Sequence, residues 1–125
     1  MAKPRSLDGI QVLVVEDECF MADDLAEALE AAGARTIGPV SSIAEANALL
    51  ARDRVDAAIL DINLRGEMAY PLIERLRAED VPCVIVSGYG HASLAESVRD
   101  LPTFEKPVAQ SAVVSSLKEV LANRA

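Results

Sequence analysis

Residues 11–17 read Gln11-Val12-Leu13-Val14-Val15-Glu16-Asp17, a short apolar, β-branched run that stops on two carboxylates. So short a run, with no polar residue alternating through it, is a strand buried on both faces, as inside a parallel sheet. The pattern returns downstream. Ala57 to Leu60 (AAIL) stops at Asp61, Pro82 to Val86 (PCVIV) at Ser87-Gly88, and the brief Thr103 to Glu105 at Lys106-Pro107. Thr36 to Val40 is a weaker strand, because Gly38 and Pro39 interrupt it and proline inside a strand belongs at a sheet edge.

Helical spacing fills the gaps between these runs. Phe20, Leu25, Ala28, Leu29 and Ala32 recur at helical intervals from Phe20 to Ala32, and Gly33 supplies a stop. Ser42 and Glu45 are spaced as a capping box at the head of a helix that runs through Leu49 and Leu50. Pro71 suits the first position of a helix reaching Arg77, after a loop containing Gly66. A further helix is expected from about Ala92 to Val98, and a last one carries the stripe Val113, Val114, Leu117, Val120 and Leu121. Strands alternating with helices in this way fold as a doubly wound α/β structure, a five-stranded parallel sheet with helices on both faces, because each crossover returns right-handed over the sheet.

At 125 residues, 51% hydrophobic and 26% charged, the chain suits one core: a single domain over residues 1–125, its core from about 9 to 123, with no effector domain. No apolar run approaches the roughly 20 residues that span a bilayer, and residues 1–8 lack the apolar stretch of a signal peptide. The expectation is therefore no membrane insertion and a cytoplasmic location. A formal charge of −8 opposes binding to nucleic acid, whose affinity for proteins comes largely from clustered Lys and Arg. Cys19 and Cys83 are too few for a disulfide framework or a zinc site and read as free thiols.

In doubly wound sheets, ligands bind at the carboxyl ends of the strands. There the chain gathers Glu16, Asp17, Asp61, Ser87 and Lys106. Carboxylates that close repel one another and raise each other's pKa unless a cation sits among them, and hard oxygen donors suit Mg²⁺. With Asp17 and Asp61 on the metal, the free oxygen of Asp61 is a nucleophile for in-line phosphoryl transfer, while Lys106 offsets phosphoryl charge. The Ser87 hydroxyl can donate to a phosphoryl oxygen, and Gly88 leaves the backbone free to approach it. Taken singly these signals are weak, since Asp, Glu, Asn and Ser at strand ends commonly make turns and a lone Lys is commonly a surface residue. Their joint order carries the weight. His91 has no second histidine or acidic partner in sequence and reads as a loop or helix-start residue.

Through Val14-Val15-Glu16-Asp17-Glu18, Asp61-Ile62-Asn63-Leu64, Ser87-Gly88 and Lys106-Pro107, and over nearly its whole length, the chain resembles the response-regulator receiver family. The resemblance implies a flavodoxin-like receiver fold and a two-component signalling switch. A sensor histidine kinase or a histidine phosphotransfer protein would phosphorylate Asp61 with Mg²⁺, or Mn²⁺ as a substitute. The output would be contact with a downstream protein through the helix after the fourth strand, the last strand and the last helix. The family pattern assigns metal contact to Asp17, a water-mediated one to Glu16, a backbone carbonyl ligand to Asn63, and phosphoryl contacts to Ser87 and Lys106. Glu16 stands where Asp is commoner.

Ser87-Gly88-Tyr89-Gly90 and the segment Asp61 to Glu67 are similar to a subgroup of single-domain receivers with Ser or Thr, Gly and Tyr after the fourth strand. Many receivers carry an aromatic residue three positions before the lysine; here that position is Thr103, with Phe104 beside it. Tyr89 has two readings of equal weight: a residue that takes over part of that aromatic's role or shields the acyl phosphate, and a partly buried loop aromatic. A monomer or weak homodimer is expected, with no enzymatic activity beyond the chain's own phosphoryl transfer and autodephosphorylation. The runner-up is a receiver-like module that binds partners without taking phosphate. Behind it stands an aspartyl-phosphate phosphohydrolase, which would want a second Asp at position 63 as acid and base and an inserted cap.

Overall fold

The computed structural model describes residues 7–123; the two ends of the expected domain beyond them, and the side chain of His91, lie outside the described residues. In chain order the elements are β1 (Gln11–Val15), α1 (Cys19–Ala31), β2 (Arg35–Val40), α2 (Ile43–Arg52), β3 (Ala57–Asp61), β4 (Asn63–Leu64), β5 (Glu67–Met68), α3 (Tyr70–Ala78), β6 (Cys83–Ser87), two 3₁₀ turns (His91–Ser93 and Glu96–Val98), β7 (Thr103–Glu105) and α4 (Gln110–Ala122). The main sheet is five-stranded and parallel, in the order β2-β1-β3-β6-β7. Among the described residues, no helix is long and apolar enough to cross a membrane.

The three apolar runs take the middle of the sheet, where both faces are covered. β3 and β6 are buried at every residue and β1 at all but Gln11. Side chains alternate between two cores, as strand geometry requires. Leu13, Val15, Ala58, Leu60 and Ile85 pack with Ile37, Leu72, Ile73 and Leu76 on the α2–α3 side. Val12, Val14, Ile59, Val84 and Val86 pack with Leu25, Leu29, Val113 and Leu117 on the α1–α4 side. Each fully buried aliphatic side chain of this kind contributes about 1.5–3 kcal/mol.

β2 lies at the edge, as its proline predicts. Gly38 has φ +93°, and a Cβ there would meet the Val40 nitrogen at 2.9 Å and the Val14 carbonyl oxygen at 3.1 Å. The strand thus hugs β1 at a point where no side chain fits, and the pairing shifts register between Leu13 and Val15.

Four expectations need correction. The loop around Gly66 is a two-stranded hairpin, β4–β5, whose turn residues Arg65 (φ 54°) and Gly66 (φ 92°) both lie in the left-handed region. That is the signature of a type I′ turn, whose twist matches that of the flanking strands. Pro71 is the second residue of α3, which starts at Tyr70. Phe20, placed on the apolar face of the first helix, is 88% exposed, because Ala22, Leu25 and Leu29 define the buried face and Phe20 points away from it.

The fourth correction is the largest. No α-helix forms over residues 92–98; two 3₁₀ turns stand there, separated by Leu94 and by Ala95 in an extended conformation (ψ 142°). Backbone bonds run three residues back, from Val98 to Ala95 and from Arg99 to Glu96. Other groups take the polar atoms that a helix would have paired. Arg99 donates to the carbonyls of Ala92 and Leu94, Arg77 to that of Ser97, and the Ala95 amide donates to the Tyr70 hydroxyl. Leu94 and Val98 are buried as expected, but two apolar anchors fit successive 3₁₀ turns as well as a helix.

Candidate functional site

Sheet register, more than any single residue, assembles the site. Val15 pairs with Leu60, Leu60 with Ile85 and Asp61 with Val86, so the polar residues that end β1, β3 and β6 come level at one edge. On the other side Ser87 pairs with Glu105, and the Lys106 amide donates to the Ser87 carbonyl at 2.7 Å, which holds the lysine at the same edge. The edge lies where the strand order reverses on either side of β1, the usual crevice of such sheets.

Lys106 is the hub of the cluster. Its Nζ donates to Asp61 Oδ2 at 2.7 Å, to Glu18 Oε1 at 2.8 Å and to Glu16 Oε2 at 3.1 Å. Burial works against this ammonium, yet the bonds to Asp61, Glu18 and Glu16 outweigh it and hold its pKa above the ordinary lysine value. Asp61 is 4% exposed, and its other oxygen accepts from the Asn63 amide at 3.0 Å.

Glu16 is buried and strained electrostatically. Burial, with the nearby Asp61 charge adding to it, raises its pKa to about 7 against the opposing bonds from the Glu18 amide and Lys106. Its Oε2 accepts from the Glu18 amide at 3.0 Å, while Oε1 makes no hydrogen bond among the described residues. The cation nearest Oε1 is the Lys106 ammonium, 3.1 Å away and already donating to three other carboxylate oxygens, so this buried acceptor keeps capacity for a further partner.

Carboxylate oxygens of Glu16, Asp17 and Asp61 lie within 4.8 Å of one another. An all-oxygen set of that size, with a buried carboxylate oxygen that makes no hydrogen bond among the described residues, fits a hard divalent cation such as Mg²⁺. Asp17 and Asp61, with Glu18, open onto a cleft of about 370 Å³ that Asn63, Gly88 and Tyr89 also line.

The remaining expected residues divide between the cleft and the core. Ser87 is fully buried, and its Oγ accepts from the Tyr89 amide at 2.9 Å. Asn63 donates from Nδ2 to the Tyr89 hydroxyl at 3.1 Å and accepts at Oδ1 from the Gly66 amide at 2.6 Å, so its side chain ties the hairpin turn to the far wall. Tyr89, 49% exposed, bridges the mouth of the cleft and is a wall residue, not a core one. Thr103 donates to the Leu101 carbonyl at 3.1 Å. Phe104 pairs with Val86 and packs into the α1–α4 core, the face opposite Thr103, because strand neighbours point to opposite sides. An aromatic one position later therefore does not replace one at position 103.

Two residues at the site were not singled out from sequence. Glu18 binds Lys106, and Arg65 sits beside Asp17, its Nε 3.7 Å from Oδ2. Both lie inside motifs quoted above, but charged residues after a strand or in a turn are ordinarily solvated, so only the three-dimensional arrangement distinguishes them.

A model of the response regulator receiver domain family matches residues 12–118, a span that contains every cleft residue named here. The solution structure of SdrG from Sphingomonas melonis Fr1 is 37% identical with a TM-score of 0.79, covering 94% of this chain and 98% of that one. The BeF3-activated conformation of SdrG from Pseudomonas melonis Fr1 is 35% identical with a TM-score of 0.76, covering 96% and 99%. The response regulator PhyR from Brucella abortus, 22% identical with a TM-score of 0.81, shares the fold over 96% of this chain and 51% of its own. No curated protein matches.

Proposed function

The chain belongs to the response regulator receiver domain family, and we propose that it is a phosphorylation-activated switch in which Asp61 accepts a phosphoryl group from a histidine kinase or a histidine phosphotransfer protein. One observation carries this reading: a nearly buried Asp61 held 2.7 Å from the Lys106 ammonium, at the floor of a cleft that two further carboxylates share. That a relative adopts a BeF3-activated conformation supports it, since beryllofluoride is a phosphoryl mimic.

Each residue has a distinct task. An Asp61 oxygen attacks phosphorus in line as the bond from phosphorus to the donor nitrogen or oxygen breaks and the donor departs with that electron pair. Lys106, already on Asp61, neutralises charge on the transferred group. Ser87, its oxygen accepting from the Tyr89 amide, turns its hydroxyl proton to a phosphoryl oxygen. Asp17 and Asp61, with the Asn63 carbonyl and Glu16 through water, would hold Mg²⁺, which supplies charge neutralisation for the phosphoryl oxygens when bound.

The chain's own chemistry is limited to this transfer and to hydrolysis of the resulting acyl phosphate, which passes the phosphoryl group to water and restores the Asp61 carboxylate. The Asn63 amide is occupied by Gly66 and Tyr89, which argues against acid–base work there and hence against a phosphohydrolase. The output is contact with a downstream protein, in the cytoplasm. Its surface includes the 3₁₀ segment after β6 in place of the helix expected there.

The test is intact mass after incubation with acetyl phosphate and Mg²⁺. Wild type gains one acid-stable, base-labile phosphoryl group; EDTA abolishes the gain, and Asp61→Asn shows none. A persistent addition in Asp61→Asn would place the acceptor elsewhere. No addition to wild type that binds Mg²⁺ would favour a binding module that does not take phosphate.

A further inference from the structure

We propose that Arg65 is a positioning residue of the cleft: its guanidinium neutralises Asp17 in the resting site, yields Asp17 to a divalent cation, and then engages the anionic phosphoryl group arriving at Asp61. The last step rests on the phosphoacceptor reading above; the first rests on geometry alone.

The backbone supplies the first argument. Arg65 takes the leading central position of the β4–β5 turn with φ 54°, a left-handed conformation that Gly, Asn and Asp adopt readily and a long side chain adopts at a cost. Where such strain persists, the side chain is a candidate for function. The turn is also fixed in place. Asn63 Oδ1 accepts from the Gly66 amide at 2.6 Å, and Asn63 Nδ2 donates to the Tyr89 hydroxyl at 3.1 Å, so the tip carrying Arg65 is tied through Asn63 to the far wall of the cleft.

Charge supplies the second argument. Glu16, Asp17, Glu18 and Asp61 meet at this edge, and Lys106 is committed to three of them, Glu16, Glu18 and Asp61. Asp17 is left to Arg65, whose Nε lies 3.7 Å from Oδ2 and whose Nη2 lies 3.5 Å from the Asp17 carbonyl. Those contacts are long, and the arginine side chain is 76% exposed against 14% for Asp17. A pair so open to solvent is weak and exchanges easily. A divalent cation, with twice the charge and hard-ion affinity for carboxylate, displaces it.

The freed guanidinium stays at the rim, because its turn cannot swing away. Its planar fork matches two phosphoryl oxygens, and it lines the same cleft as Asp61 and Lys106. Two cations would then serve the group bound to Asp61, Lys106 half-buried and held by three carboxylates, Arg65 exposed and exchangeable.

The test compares wild type with Arg65→Asn and Arg65→Lys in two titrations: Mg²⁺ by calorimetry, then beryllofluoride at saturating Mg²⁺ by ¹⁹F NMR. Asn suits the left-handed turn, so Arg65→Asn keeps or raises the melting temperature and any loss is not one of folding. It is expected to bind Mg²⁺ about two- to fivefold more tightly, because a competitor for Asp17 is gone. It should take up beryllofluoride about tenfold more weakly, because a charged donor is gone. Arg65→Lys should keep Mg²⁺ affinity near wild type and recover part of the anion affinity. Equal or weaker Mg²⁺ binding by Arg65→Asn overturns the counter-ion role, and unchanged beryllofluoride uptake overturns the phosphoryl role. If wild type itself takes up no beryllofluoride, the phosphoacceptor reading fails and takes the last step with it, while the Mg²⁺ comparison still decides the first.

Discussion

At the amino ends of the strands, polar groups close on one another. The Gln11 amide donates to Asp56 Oδ2 at 2.8 Å, the Gln11 side chain donates to the Arg54 carbonyl, Arg54 pairs with Asp56 at 3.2 Å and reaches the Gly9 carbonyl at 3.1 Å. At the carboxyl ends, Glu16, Glu18 and Asp61 share one lysine, and an oxygen of Glu16 is left without a hydrogen bond among the described residues. One aspartate thus stands at each end of β3. Asp56 has one cation and one amide to itself, in partial solvent; Asp61 is nearly buried and competes for its cation with two other carboxylates. The first arrangement is what a sheet needs for closure. The second opposes stability, and such arrangements persist where binding or chemistry needs them.

Substitutions at the two ends can break this contrast. Lys106→Met should have the largest effect, since it leaves Glu16 and Asp61 as buried carboxylates without a cation: in EDTA the free energy of unfolding in urea falls by about 3 kcal/mol, and Mg²⁺ restores part of the loss. Wild-type stability in that variant would mean that the lysine is not holding the cluster together. Asp61→Asn should act in the opposite direction. Removing one of the crowded charges while keeping an acceptor for the Asn63 amide raises metal-free stability by about 1 kcal/mol, and the gain shrinks as Mg²⁺ is added to both proteins. Asp56→Asn, at the satisfied end, should lower stability by roughly 0.5–1 kcal/mol with no dependence on Mg²⁺. If Asp56→Asn stabilises as Asp61→Asn does, the difference between the two ends disappears.

The strand ends were readable in the sequence for a physical reason. Strands covered on both faces change abruptly from apolar to polar where the sheet stops, and parallel register then brings successive ends level, which is why Glu16, Asp61, Ser87 and Lys106 meet. Helices were less legible where only two apolar anchors marked them. Leu94 and Val98 suit a helix, but Arg77, Arg99 and Tyr70, which no local pattern connects to them, satisfy the backbone in another way. Phe20 shows the same limit at a helix start, where one apolar residue out of phase with Ala22 and Leu25 reads as part of the stripe. Arg65 and Glu18 were hidden because their roles depend on what lies across the cleft, at Asp17 and Lys106.

The 3₁₀ segment between β6 and β7 changes how motion can pass through this molecule. A helix is a cooperative rod: shifting one end displaces the whole, and loosening it opens a ladder of bonds together. Here the backbone between Gly90 and Leu101 is fastened turn by turn, by short-range bonds and by arginine side chains rooted at Arg77 and Arg99. Each fastening can be released alone, while Leu94 and Val98 stay seated in the core beneath. The surface beside Ser87 therefore behaves as a row of separate latches, with local opening energies well below that of the sheet it covers.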